Sequence, residues 1–132
     1  MSASPPPPTA EDAQSAQGDG NDAEAVVERF GAAWSDRDLD AVIAMLTDDC
    51  VFDSTGPAPD GEAVVGPDAI RVAWQPIFDD VNAHFVTEEQ FAAGARVVQR
   101  WRCEWEGGHV RGVDLFLVRD GRVAEKRSYV KG

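Results

Sequence analysis

A carboxylate inside an apolar strand is the strongest chemical signal in the sequence. Alternation along the segment 109–119 places Asp114 and Phe116 on the same strand face. Both faces of this segment are largely apolar at its middle, which predicts a central strand covered on both sides. Burial without a partner favours a protonated carboxyl group, a property that suits a general acid or a donor to an enol oxygen. The alternative is a structural carboxylate that a cross-strand partner satisfies.

The last strand carries the residue that bears on this choice. Lys126 and Ser128 share one face of the segment 122–131. If that face points inward, Lys126 can pair with Asp114. An ion pair would hold Asp114 ionised, which moves it from an acid toward a base or toward a structural role.

A second candidate carboxylate, Asp53, ends a short strand signal over residues 50–53. It precedes a loop rich in Pro and Gly over residues 54–65. At the mouth of a pocket, Asp53 could act as a proton-transfer base. The alternative is a residue that caps the backbone amides of Thr55 or Gly56 at the start of the loop.

Aromatic residues are expected to form the wall of the pocket. The segment 95–106 alternates between an apolar face and a charged face, and the apolar face predicts pocket wall and core together. The histidines and cysteines, two of each, are not clustered, so neither a metal site nor a cofactor is predicted. The predicted ligand-binding residues are Phe30, Trp34, Trp74, Trp101, Cys103, Trp105, Phe116, Lys126 and Ser128.

The spacing of apolar residues and the positions of turn-forming residues predict the helices and strands that position these side chains. Apolar stripes predict three helices, over 21–35, from Asp38 to about Leu46, and from Gly66 onward. Turn signals then separate four strands, over 83–92, 95–106, 109–119 and 122–131. The predicted class is α+β, with three N-terminal helices packed in the concave face of a curved, mostly antiparallel sheet. Such a cone is expected to enclose an apolar pocket.

The first 20 residues differ in composition from the rest. They include four consecutive prolines and no Lys or Arg, which predicts a disordered, acidic, Pro-rich tail before a folded domain over 21–132. The net charge of −12 argues against nucleic acid and anionic membranes as partners. Without a membrane-length apolar run or a secretion signal, and with two cysteines interpreted as free thiols, a cytoplasmic location is expected.

Three stretches of the chain carry a family resemblance. They read RFGAAWSDRDLDAVIAMLTDDCVFD, VGPDAIRVAW and GVDLFLVRDGRVAEKRSYV, in this order and spacing. Over residues 22–132 the chain resembles the nuclear transport factor 2-like superfamily, and within it the SnoaL-like polyketide cyclases and ketosteroid isomerase-like proteins. The resemblance implies a cone-shaped fold, a small apolar ligand and a homodimer formed through the outer face of the sheet.

The resemblance extends to single positions. Asp114 falls where ketosteroid isomerases place the carboxylic acid of the oxyanion hole, and where SnoaL-like cyclases place their acid/base Asp. Phe30 occupies the position of the isomerase Tyr, so that hydroxyl donor is missing. The isomerase base aligns with Ser54, one residue beyond Asp53.

Other members of the superfamily match less well. In limonene-epoxide-hydrolase-like proteins the later Asp of the active site falls at Ser128 here. Scytalone-dehydratase-like proteins use two histidines, but strand parity places His109 on the face opposite Asp114. The leading hypothesis is a cofactor-independent isomerase or cyclase that acts on a small apolar carbonyl compound through Asp114. The alternative is a non-catalytic small-ligand-binding or dimerisation module.

Overall fold

Three helices pack against one sheet in the computed structural model, which describes residues 10–132, with side chains from residue 22 onward. The helices are α1 (Ala10–Ser35), α2 (Leu39–Ala44) and α3 (Pro67–Asp79). Helix α1 begins well before the predicted start at residue 21, so residues 10–20 of the predicted tail belong to it. The Ala, Glu and Gln residues of that stretch have high helix propensity. Residues 1–9 of the predicted tail lie outside the described residues.

The six strands form a single sheet in the order β2-β1-β6-β5-β4-β3. Neighbouring strands are antiparallel except for β1 and β6, which are parallel. Strand β5 therefore lies centrally between β4 and β6, and the predicted α+β class is confirmed. The strands are β1 (Leu46–Asp53), β2 (Ala63–Val65), β3 (His84–Ala93), β4 (Arg96–Trp105), β5 (Gly108–Arg119) and β6 (Arg122–Val130).

The segment between α2 and β1 differs from the sequence prediction. The Asp38 carboxylate accepts a hydrogen bond from the Ala41 amide at 3.1 Å, as expected of an N-cap. The helix nevertheless ends at Ala44, and the strand begins at Leu46 instead of residue 50. Backbone pairing with β6 explains the change, because the Val123 amide donates to the Met45 carbonyl at 2.8 Å. Tertiary pairing thus overrides the helical periodicity of this stretch.

The core lies between the helices and the inner face of the sheet. Phe30 of α1 meets Trp74 of α3 and Phe116 of β5, with ring centroids 6.0 and 5.6 Å apart. Trp74 is fully buried, and Phe116 nearly so. Edge-to-face contacts of this kind add to the free energy gained from burying the rings. One continuous aromatic cluster therefore holds the helices on the concave face.

Two buried cysteines contribute to the same interior. Both Cys50 and Cys103 are free thiols. Burial raises the pKa of the Cys50 thiol to about 12, so this residue behaves as a small apolar side chain. Within residues 22–132, no group of His, Cys, Asp or Glu is arranged to hold a metal ion. None of the described helices is long and apolar enough to span a membrane.

Candidate functional site

Asp114 and Lys126 form a buried ion pair on the inner face of the sheet. In the β5–β6 ladder Asp114 lies opposite Ser128, and Phe116 lies opposite Lys126, so the two charged residues are diagonal neighbours. The Lys126 Nζ atom lies 3.2 Å from Asp114 Oδ2, and the two side chains are 10% and 7% exposed. The inward orientation that the sequence left open is therefore the one observed.

Three aromatic rings surround the ammonium group of Lys126. Its Nζ atom lies 5.1 Å from the ring centroid of Trp34, 5.2 Å from that of Phe52 and 5.8 Å from that of Trp74. Cation–π attraction at these distances replaces part of the hydration that the ammonium loses on burial. Lys126 also donates a hydrogen bond to Ser128 Oγ at 3.0 Å. The pair is thus held in an apolar setting with few polar neighbours.

Three buried polar atoms in and around this pair have no hydrogen-bond partner among the described residues. They are Asp114 Oδ1, Trp101 Nε1 and Trp74 Nε1. Buried polar atoms are hydrogen-bonded in the great majority of native structures, so each exception calls for an explanation. Asp114 Oδ1 is an acceptor and the two indole N–H groups are donors, and all three atoms are enclosed by protein.

A cavity of about 50 Å³ lies beside the ion pair, between α1 and strands β3 to β6. This is far below the roughly 300–1,000 Å³ of pockets that enclose drug-sized ligands. It suits a few ordered waters or a compound of a few non-hydrogen atoms. Its lining residues are Phe30, Gly31, Trp34, Ser35, Phe85, Val86, Thr87, Gln99, Trp101, Asp114, Phe116 and Lys126.

The structure brings most of the predicted wall residues to this cavity. Phe30, Trp34, Trp101 and Phe116 line it together with the ion pair. Three of the other predicted residues lie close by without lining it. Trp74 is enclosed in the core, Cys103 is buried farther along β4, and Ser128 is the hydrogen-bond acceptor of Lys126.

Trp105 does not form part of the wall. It lies at the end of β4 and is 46% exposed, although strand parity assigns it to the inner face. Its indole ring packs against Gly108 of β5, where an added Cβ would lie 3.2 Å from the ring. Alternation fixes the face of a strand residue but not whether a helix covers that part of the strand. Trp105 therefore does not line this cavity.

Asp53 lies apart from Asp114 and pairs with a different cation. It is directly opposite Arg127 in the β1–β6 ladder, and Arg127 Nη1 lies 3.3 Å from Asp53 Oδ2. Arg127 has the opposite strand parity to Lys126, so this pair belongs to the outer face of the sheet. The two predicted catalytic carboxylates are thus not brought together. Ser54, next to Asp53, holds the following loop by donating to the Gly56 carbonyl at 2.6 Å.

Gln99 is a polar cavity residue that the sequence analysis missed. It lies directly opposite Asp114 in the β4–β5 ladder, and its Nε2 donates to Gln90 Oε1 at 2.9 Å. A signal for it was present, because Gln99 has the same strand parity as Trp101 on β4. No sequence pattern predicted that Gly31 of α1 lines the cavity, because its position depends on how the helix packs against the sheet.

Three helices packed against one face of a curved six-stranded sheet form the arrangement found in nuclear transport factor 2-like proteins. Comparison with protein families gives a match to the SnoaL-like domain over residues 27–126. The chain belongs to the SnoaL-like domain family. A search of curated proteins gave no match.

Solved structures agree with this assignment. A nuclear transport factor 2-like protein of unknown function from Mesorhizobium loti is 36% identical, with a TM-score of 0.78, and the match covers 86% of this chain and 93% of that one. A steroid delta-isomerase from Pseudomonas aeruginosa is 20% identical, with a TM-score of 0.68, covering 84% and 80%. A protein from Xanthomonas campestris pv. campestris assigned as a polyketide cyclase is 21% identical, with a TM-score of 0.68, covering 86% and 93%. The last two share the fold.

Proposed function

We propose that the cavity binds a small, mostly apolar carbonyl compound and that Asp114 exchanges a proton with it without a cofactor. The protein would then be an isomerase or cyclase. One observation carries the proposal: a buried carboxylate has one oxygen on Lys126, while the other oxygen has no partner among the described residues. Asp114 lines the cavity, and an oxygen without a partner supports a role in accepting a proton from a bound molecule.

The pairing with Lys126 favours a base role for Asp114. The ammonium group stabilises the carboxylate form, so Asp114 takes a proton from the carbon next to the carbonyl. The enolate oxygen that develops needs hydrogen-bond donors. Phe30 offers none, and the groups that support this role are the Trp101 indole N–H and the Lys126 ammonium.

Proton exchange into a small ketone tests the proposal directly. The protein is incubated with butanone in D₂O, and loss of the α-proton signal is followed by NMR. We expect the Asp114→Asn variant to lose about a hundredfold or more of the protein-dependent exchange rate, since its amide cannot act as the base. Asp53→Asn is the matched control, because Asp53 belongs to a separate ion pair. Equal exchange by wild type and Asp114→Asn would overturn the assignment.

A non-catalytic binding role is the second candidate. It is favoured by the absence of a hydroxyl donor at Phe30 and by the contacts that already hold Lys126. Saturable binding of butanone, detected by tryptophan fluorescence, without any proton exchange would support this role over catalysis. We further propose a cytoplasmic location, because both cysteines are free thiols.

A further inference from the structure

Lys126 is unusual among the basic residues of this chain. The sequence contains only two lysines, Lys126 and Lys131, against ten arginines. Every other ion pair among residues 22–132 uses an arginine as its cation. The buried pair alone uses a lysine. Unlike a guanidinium, an amine can give up its proton and act as a nucleophile.

Lys126 has a proton acceptor and a ligand space beside it. Its Nζ atom has a proton acceptor, Asp114 Oδ2, at 3.2 Å, and it lies among aromatic rings on the cavity wall. The carboxylate 3.2 Å from Nζ takes up one ammonium proton as the amine forms its bond to a carbonyl carbon. The neutral amine then has a lone pair beside the space where a ligand would lie.

We propose that Lys126 forms an imine with the carbonyl carbon of a small aldehyde or ketone in the cavity, an inference that rests on the proposed carbonyl ligand. Lys126 passes a proton to Asp114, and the amine lone pair forms a C–N bond to the carbonyl carbon. The carbonyl oxygen takes up two protons, one of them from Asp114 and one from the amine nitrogen, and leaves as water. The product is a protonated imine with Asp114 ionised again, so one carbonyl compound and one ammonium give one iminium and one water.

Formation of the imine would make the proton exchange at Asp114 easier. An iminium withdraws electrons from the neighbouring carbon more strongly than a carbonyl does, so its C–H proton is easier to remove. Asp114 Oδ1, the unpartnered oxygen of the same ion pair, accepts that proton and leaves an enamine. The scheme needs no hydroxyl donor at Phe30, since the positive nitrogen stabilises the developing charge.

Reductive trapping tests the imine. The full chain is incubated with propanal and sodium cyanoborohydride, which converts an imine into a stable N-propyl amine, and labelled peptides are quantified by mass spectrometry. Lys131 is exposed and serves as the internal reference. We expect Lys126 to be labelled about tenfold or more faster than Lys131, because a ligand in the cavity is held against the amine. In urea-unfolded protein the two lysines should react at similar rates.

Two variants separate imine formation from a purely structural role. Lys126→Arg keeps a cation beside Asp114 and loses the label. Asp114→Asn keeps the amine but removes the acid that protonates the departing carbonyl oxygen, so labelling of Lys126 becomes slower while that of Lys131 does not change. The variant Lys131→Arg leaves labelling of Lys126 unchanged, which verifies the peptide assignment.

The outcomes also separate this inference from the proposed function. Labelling of Lys126 no faster than that of Lys131 in folded wild-type protein overturns the imine. If butanone still exchanges protons through Asp114 in that case, the proposed function stands alone. If neither exchange nor preferential labelling occurs, both proposals fail.

Discussion

Asp114 and Lys126 are both nearly excluded from solvent, so removing either one leaves the other as an uncompensated charge in an apolar interior. We expect Asp114→Asn or Lys126→Met alone to lower the free energy of unfolding by about 3 kcal/mol. The double variant, which contains no buried charge, should recover more than half of that loss. Urea denaturation followed by tryptophan fluorescence measures all four proteins of the cycle. Strictly additive losses would show that the pair is not coupled.

The sequence predicted the residues of this pair and left their pairing open. Alternation placed Asp114 and Lys126 each on a defined face of its own strand. The contact between them depends on the register of β5 against β6, which sets Phe116 opposite Lys126 and makes Asp114 a diagonal neighbour. Register is a tertiary property, since it follows from the turn and from a shift in pairing between Leu117 and Val118.

Strand β3 contains a β-bulge, which the alternation of side chains along the strand could not predict. Its pairing with β4 shifts between Thr87 and Glu89, so Glu88 is the extra residue of a bulge. The Glu88 carboxylate meets Arg102 Nη1 at 2.8 Å and Arg111 Nε at 3.0 Å. The bulge thus places one acidic side chain among arginines from β4 and β5.

Acid should weaken this cluster. The hydrogen bond from Arg111 holds the pKa of Glu88 below its ordinary value of 4.5. A lowered pKa in the folded state stabilises the protein above pH 4.5, and that contribution is lost as the pH falls through the folded-state value. Glu88→Gln should therefore lower Tm at neutral pH and show a smaller fall in Tm on acidification than wild type. Glu106→Gln, at an exposed turn, is the control, and its Tm should fall on acidification by the same amount as that of wild type.

Alanine substitutions of two glycines, one in β5 and one in α1, test how tightly these elements pack. An added Cβ at Gly112 of β5 would lie 2.3 Å from the Trp101 ring and 2.4 Å from the Tyr129 carbonyl oxygen. We expect Gly112→Ala to lower the free energy of unfolding by about 2 kcal/mol, since the ring and the backbone must both move. Displacement of Trp101 from its place beside the cavity should also shift its fluorescence emission.

The opposite result is expected at Gly31 in helix α1. Its added Cβ would meet only Gln99 Nε2, at 3.8 Å, which is an ordinary contact. Alanine in a helix is favoured over glycine by about 1 kcal/mol, so Gly31→Ala should stabilise the protein by up to that amount in the same urea assay. A loss of stability there would mean that α1 seats more closely on the sheet than the structure indicates.

At the scale of the whole molecule, the sequence predicted the architecture well because its signals are local. Asp120 and Gly121 both have positive φ, as the two-residue hairpin turn predicted from their types requires. Gly94 and Gly107 also have positive φ, and they lie in the turns that separate β3, β4 and β5. The short strand β2 and the early start of β1 were missed, because both depend on pairing with distant strands.

The outer face of the sheet carries an apolar row that continues across three strands. Phe91 of β3 lies opposite Val98 of β4, and Val98 lies opposite Leu115 of β5. Phe91 is 48% exposed, although aromatic side chains are usually more deeply buried. Ion pairs such as Arg127–Asp53 continue the row toward β1. An apolar row bordered by charged pairs resembles the composition of protein interfaces.

We propose that two copies of the chain associate through this outer face, as the family resemblance implies. Wild-type protein at micromolar concentration should then scatter light with twice the mass of the monomer. Phe91→Glu places a charge at the centre of the contact and should give the monomer mass, with little effect on the isolated domain because the side chain is already half exposed. Val72→Glu on α3, where the native side chain is 74% exposed and away from the sheet, should remain dimeric. A monomeric wild type, or equal masses for the two variants, would overturn this proposal.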